Sequence, residues 1–164
     1  MIGKHTKSIL LENQDSFLIA AENVATVLCS HPAEHALLVL SKVGYNKIPV
    51  LDSSDRLVGL ISLANIVDKM VDLNGFNSKV LDGLNVADVM EDKIPSLKPE
   101  NDLEDALHLL VGVSFLPVVD ENDIFKGIVT RKEVLKSVNH LVHEAEKRYE
   151  FIPKTDEIKE GINT

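Results

Sequence analysis

Thr130-Arg131-Lys132-Glu133 is the stretch of this chain best equipped for chemistry. It stands where a strand-like run, Ile124 to Val129, hands over to a helical pattern. A helix begins with backbone N–H groups that have no intrahelical partner, and its dipole favours an anion there. A Thr hydroxyl and an Arg guanidinium beside those groups can hold a phosphate by charge-assisted hydrogen bonds. The same residues support a second reading. Thr-x-x-Glu is also a capping box, in which Thr130 and Glu133 only satisfy the helix end. Arg131 and Lys132, adjacent cations in an acidic chain, favour a ligand.

Other chemistry is thinly represented. His140 and His143 lie at i and i+3 on a helical pattern, a spacing that can share a metal, yet no third ligand is near in sequence. A solvated helix face accounts for them, and His31, His35 and His108 read as scattered surface residues. The single cysteine, Cys29, excludes an intramolecular disulfide and a cysteine zinc cluster. Neither a Gly-x-Gly-x-x-Gly nor a Gly-Lys-Ser/Thr pattern occurs. No nucleophile–base pair emerges, so the residues point to no catalytic site, no metal site and no enzyme.

The net charge is −9, from 26 acidic and 17 basic residues, and no basic run exceeds two residues. A surface that tracks DNA or RNA phosphates needs a basic stripe, so no nucleic-acid partner is expected. No apolar run approaches the roughly 20 residues that span a bilayer. Ile9-Leu10-Leu11 is too short for a signal h-region, so no membrane association and a cytoplasmic location are expected.

The elements that position Thr130 occur twice. Val43 to Val67 matches Val111 to Leu135 without a gap: Pro49 pairs with Pro117, Asp52 with Asp120, Asp55 with Asp123 and Gly59 with Gly127, each 68 residues on. One supersecondary unit has been duplicated, and function belongs where the copies meet. In each copy a β-branched run (Ile48 to Leu51; Leu116 to Val119) stops at an Asp-rich turn with hairpin chemistry, and a second strand and a helix follow. Another short helix precedes each hairpin, and a strand (Val24 to Leu28; Ile94 to Leu97) precedes that. The unit is β-α-β-β-α, twice, in an α/β (α+β) fold with an extra N-terminal helix over Ser8 to Ala21 and a long C-terminal helix. The expected divisions are an N-terminal helical extension, 1–20; repeat one, 21–73; a turn-rich linker, 74–85; repeat two with the C-terminal helix, 86–150; and a flexible tail, 151–164. The N-terminal helix is expected to pack on the first repeat. Turns of helix are read at Ser78 to Leu81 and Val86 to Met90.

This pattern resembles the CBS domain, and the tandem resembles a CBS pair whose repeats are related by a pseudo-two-fold. The resemblance rests on the helix-Gly-x4-Pro-Val stretch before each Asp turn and the closing Gly-h-h-Ser/Thr, and covers about Ala21 to Val142. The chain looks closer still to the small stand-alone CBS-pair proteins of Firmicutes that bind cyclic di-AMP. In adenosine-binding CBS domains the closing motif reads Ser/Thr-x-x-Asp, the Asp taking the ribose hydroxyls. Here it reads Ser62-Leu63-Ala64-Asn65 and Thr130-Arg131-Lys132-Glu133. The missing Asp weighs against a plain AMP, ADP or ATP sensor and suits a cyclic dinucleotide, whose 3′ oxygen is esterified.

The resemblance also implies which pieces meet. One cleft combines Val24, Ala25 and Thr26 with Tyr45, Asn46, Lys47, Ile48 and Pro49, and with Thr130, Arg131 and Lys132. Small Ala25 leaves room for a purine, Ile48 offers an apolar wall, and Tyr45 stacks on a base or is a half-buried turn aromatic. The second cleft would use Ile94, Pro95, Phe115, Leu116 and Pro117 with Ser62 and Asn65. It has no Arg, and its repeat has lost two residues between helix and strand (Ala36 precedes Pro49 by 13, Ala106 precedes Pro117 by 11), so it is expected to be empty or degenerate. The resemblance implies a non-catalytic cyclic di-AMP sensor without a cofactor, a homodimer of CBS pairs. Subgroup resemblance implies a Rel-type guanosine tetraphosphate synthetase/hydrolase as partner. An adenylate energy sensor and a ligand-free interaction module are the alternatives.

Overall fold

A computed structural model describes residues 2–12, 17–73 and 75–152. Its two hairpins carry the architecture: β3 (Lys47–Leu51) with β4 (Leu57–Ser62), and β7 (Phe115–Val119) with β8 (Phe125–Thr130). Each turn is closed by its first Asp. Asp52 Oδ1 accepts from the Ser54 and Arg56 N–H groups at 2.8 and 3.0 Å, and Asp120 Oδ1 accepts from Asn122 and Ile124, both at 3.0 Å. The N–H groups of Arg56 and Ser54 hold the Asp52 carboxyl below its ordinary value, and Lys126 does so first for Asp120. Asp55 and Asp123 take left-handed backbone at φ 60° and 61°, a conformation Asp tolerates. The two turns then pair with each other. Leu57 N–H donates to Asp123 O at 3.0 Å and Phe125 N–H to Asp55 O at 2.9 Å, across the pseudo-two-fold.

Helices cover each hairpin. In repeat one, α2 (Ala33–Val43) buries Ala33, Ala36 and Leu40 and stops at Gly44, whose φ of 69° makes a left-handed cap; α3 (Leu63–Met70) buries Ile66 and Met70. In repeat two, α4 (Leu103–Leu110) starts at an Asp102–Asp105 capping box and buries Ala106 and Leu110, and α5 (Arg131–Arg148) closes the chain. Two hydrophobic cores result. One is centred on Leu40, Ile48, Ile61 and Ile66, the other on Phe17, Leu110, Leu116 and Val134.

Each repeat is completed by the leading segment of the other. β1 (Leu18–Ala20) lies antiparallel to β8, Ile19 opposite Ile128, so the chain's leading strand finishes the second repeat's sheet. Glu91, in the leading segment of repeat two, pairs with Leu60 of β4 through two backbone bonds of 2.8 and 2.9 Å. Both crossings run over a glycine. Gly127 has φ 146° and its Cβ would collide with the Ile19 carbonyl; a Cβ on Gly59 would sit 2.5 Å from the Glu91 carbonyl oxygen. The repeated glycine is there because another backbone lies on it.

Several expectations need correction. The helix read over Ser8 to Ala21 is α1 (Lys4–Leu10), and Leu18–Ala20 is strand, because the free edge of β8 offers those residues a ladder; the part of that reading over residues 13–16 lies outside the described residues. α1 packs on α5 of repeat two, not on repeat one. Glu12 ties it there, taking Arg148 Nη1 at 2.6 Å and His140 Nε2 at 2.9 Å, and these partners, Arg148 first, hold its carboxyl below the usual range. The strand expected from Val24 is only β2 (Val27–Leu28), parallel to β3. Its counterpart Ile94 to Leu97 reduces to a bridge between Leu97 and Val118, since Pro95 has no N–H for a ladder. Within the linker, Val71–Asp72 (β5) and Gly75–Phe76 (β6) form a small hairpin, while Ser78–Leu81 and Val86–Asp88 are the expected helical turns, both 3-10. The tail from residue 153 lies outside the described residues.

Candidate functional site

Two cavities open between the repeats. The smaller, about 370 Å³, brings together Val24, Ala25, Tyr45, Lys47, Ile48, Pro49, Thr130 and Lys132 of the expected set. Ile48 and Pro49 come from the buried strand β3, Ala25 from the chain between a 3-10 turn and β2, and Thr130 and Lys132 from the step where β8 becomes α5. Tyr45 follows the Gly44 cap and is 56% exposed, so its ring is free to meet a ligand rather than fill a core. Thr26 and Asn46 do not line this cavity; Asn46 faces the larger one.

Thr130 caps α5 by accepting from Glu133 N–H at 3.2 Å, but Glu133 does not reach back. Its Oε1 goes to Lys136 Nζ at 2.7 Å, so only half of the capping box forms. In repeat one the box is complete: Ser62 Oγ accepts from Asn65 N–H at 3.1 Å and Asn65 Oδ1 accepts from Ser62 N–H at 2.9 Å. The two helix starts therefore differ at the N-cap residue, whose backbone N–H is taken by Asn65 in repeat one and not by Glu133 in repeat two; the first N–H of each helix is used alike, Arg131 donating to Ser114 O and Leu63 to Asn46 O.

Arg131 does not line the smaller cavity, and its guanidinium turns toward the end of α4. Nε donates to Leu110 O at 2.9 Å, and one Nη2 serves Val111 O at 3.2 Å and Val113 O at 2.8 Å. The Leu110 and Val111 carbonyls are ones a helix C-terminus leaves without intrahelical partners, and a cation beside them is favourable; Val113 lies in the connection beyond. Nη1 carries none of these bonds.

Six lining residues were not anticipated there: Ile19, Asn23, Ser114, Phe115, Ile128 and Glu133. The duplication held a signal for two of them. Ser114 and Phe115 are the repeat-two counterparts of Asn46 and Lys47, and a pseudo-two-fold brings such positions face to face. Ile19 and Ile128 come from the strand exchange, which leaves no local trace.

The larger cavity, about 540 Å³, is lined by Ser62, Asn65, Ile94, Pro95 and Phe115 as expected, but Leu116 and Pro117 are fully buried behind it. Gly112 to Ser114, the counterparts of Gly44 to Asn46, form one wall, and the two lost residues fall earlier, within the shorter helix α4. Glu91 projects into it. Lys47 Nζ meets Glu91 Oε2 at 2.8 Å and Asn65 Nδ2 donates to Oε1 at 3.1 Å; these partners, Lys47 first, hold the Glu91 carboxyl below the usual carboxylate range. Among the described residues no three His, Cys, Asp or Glu side chains gather to hold a metal, and no helix is long and apolar enough to cross a membrane.

Leading segments that cross to the other repeat, one as strand β1 and one as the Glu91–Leu60 bridge, paired hairpin turns and two inter-repeat clefts define a pair of tandem CBS repeats. The CBS domain family model matches residues 18–72 and 86–140, and the chain belongs to that family. It is 37% identical over 139 residues to cyclic di-AMP receptor B of Bacillus subtilis, covering 85% of this chain and 95% of the relative. Among solved structures it resembles CbpB of Streptococcus agalactiae, with TM-score 0.80, 31% identity and 93% and 96% of the two chains covered. It also resembles the Listeria monocytogenes CbpB protein in complex with c-di-AMP, with TM-score 0.73, 47% identity and 77% and 95% covered.

Proposed function

We propose that this chain is a non-catalytic cytoplasmic receptor for cyclic di-AMP, bound in the smaller cleft. The observation that carries the reading is one cavity joining an apolar purine-sized wall, Ala25 and Ile48, to Thr130 and Lys132 at the start of an 18-residue helix. An adenine packs against the first and a phosphate against the second, with Tyr45 free to stack. A relative bearing the name cyclic di-AMP receptor and a CbpB structure holding the same ligand support the choice of nucleotide. Calorimetric titration with cyclic di-AMP, AMP, ATP and S-adenosylmethionine tests it. Saturable binding of cyclic di-AMP, one per chain and tighter than the adenylates, is expected; no heat with cyclic di-AMP, or tighter AMP or ATP, refutes it.

The receptor acts as a homodimer. Leu135 and Val142 are 56% and 63% exposed on α5, and with Val138 and Ala145 they repeat at heptad spacing, the pattern of a helix–helix seam. Light scattering at micromolar concentration should give twice the 18.1 kDa chain mass, and a monomer mass with and without ligand removes the dimer. The regulated partner is a Rel-type guanosine tetraphosphate synthetase/hydrolase, a choice that rests on family resemblance. Co-elution that differs between free and ligand-bound receptor is the expected sign, since a ligand changes an equilibrium only through unequal affinity for two states. Absence of co-elution in both states discards this partner.

A further inference from the structure

The duplication makes Lys47 of repeat one the counterpart of Phe115 of repeat two, and both residues line both cavities. They stand on the wall the two clefts share. Lys47 is thus the one of the pair that can give its charge to either side. In this structure it gives it to the larger cleft, where Nζ meets Glu91 at 2.8 Å.

Glu91 is built to receive it. Its backbone is fixed by the two bonds to Leu60, and its second carboxylate oxygen is held by Asn65 Nδ2 at 3.1 Å, whose Oδ1 is itself fixed by the complete cap on Ser62. The pseudo-symmetric position in the smaller cleft, identified by pairing with Ile128 as Glu91 pairs with Leu60, is Ile19. One cleft has a carboxylate where the other has an aliphatic side chain.

We propose that Glu91 is a positioning residue for the proposed nucleotide site, holding Lys47 toward the larger cleft so that an anionic ligand in the smaller cleft must draw the lysine away from it. The inference rests on the cyclic di-AMP reading above. The cost is modest, because the pair is partly exposed, with side-chain exposures of 33% and 43%, and such pairs are weak. It has a direction, however: Glu91 lowers the smaller cleft's affinity for a phosphodiester.

The experiment is titration of cyclic di-AMP into the parent, Glu91→Gln, Lys47→Met and the double variant, with thermal melts of each. Glu91→Gln keeps an acceptor for Asn65 and frees Lys47. It is expected to bind roughly two- to fivefold tighter, a range set by the release of Lys47 from a weak ion pair. The stoichiometry should stay at one per chain. Lys47→Met should abolish that gain, so the double variant binds like Lys47→Met alone. Unchanged or weaker binding by Glu91→Gln, a gain that survives in the double variant, or a stoichiometry of two each overturns the proposal. If the parent itself fails to bind cyclic di-AMP, the receptor reading fails first, so the two failures are told apart by the first titration.

Discussion

Ala25→Leu is expected to weaken cyclic di-AMP binding by roughly a hundredfold or more, because a purine pocket cannot give up its floor. Ala25 lies in the smaller cleft beside Val24 and Ile48, and Ile48 is 1% exposed and packed from behind. That wall has no room to retreat. A leucine at residue 25 must project into the cavity, where it occupies the space an adenine needs. The fold should survive, since Ala25 is only partly buried, against the edge of the first core, and adds no hydrogen bond of its side chain to that core. Overpacking costs about 1–3 kcal/mol where a side chain has nowhere to go, and the open cleft places this change at or below the low end. Titration and a thermal melt on the same preparation separate the two effects. A well-folded Ala25→Leu protein that binds like the parent would put the base elsewhere.

The division between what the sequence shows and what it hides tracks distance along the chain. Hairpins, turns and helix caps are local. Asp52 and Asp120 bond N–H groups two and four residues on, Asp102 caps a helix with its third residue, and the duplication displays each hairpin turn twice. The expected fold, two β-α-β-β-α repeats meeting at a cleft, rests on such signals. Edge pairing is not local. Leu18–Ala20 read as the end of a helix because its apolar residues suit either state, and only the open edge of β8, more than a hundred residues on, decides for strand. The same exchange put Ile19 and Ile128 in one cleft and Glu91 in the other, none of which spacing could announce. Gly59 and Gly127 were visible as a repeated pair, but the reason for them, a foreign carbonyl lying on the Cα, requires the structure. Ser114 and Phe115 form an intermediate case, recoverable by applying the pseudo-two-fold to Asn46 and Lys47.

Arg131→Met is expected to weaken cyclic di-AMP binding tenfold to more than a hundredfold and also to lower stability. The first effect follows if a bound phosphate draws the guanidinium from the carbonyls at the end of α4 into the cleft, where the proposed charge-assisted contact would be worth about 1.5–3 kcal/mol. The sequence alone expects no second effect, for a capping box is indifferent to Arg131. The structure adds it. Arg131 binds the carbonyls of Leu110, Val111 and Val113, residues 18 to 21 positions away, and so braces the end of α4 against the start of α5. Three bonds from one partly exposed guanidinium make a stability loss of about 1–2 kcal/mol reasonable, discounted from the buried value. The brace competes with the ligand contact: the guanidinium is one rigid plane, so bonds at Nε and Nη2 also fix Nη1, and Arg131 reaches a phosphate in the smaller cleft only by giving up carbonyls at the end of α4. Glu133→Gln serves as the companion. It keeps a polar partner for Lys136, removes a carboxylate from the cleft wall, and should bind equally or slightly more tightly. Both variants should be titrated well below their melting temperatures, so that lost stability does not masquerade as lost affinity. If Arg131→Met melts earlier yet binds like the parent, Arg131 is a brace and nothing more, and the phosphates belong to Thr130, Lys132 and the α5 N–H groups.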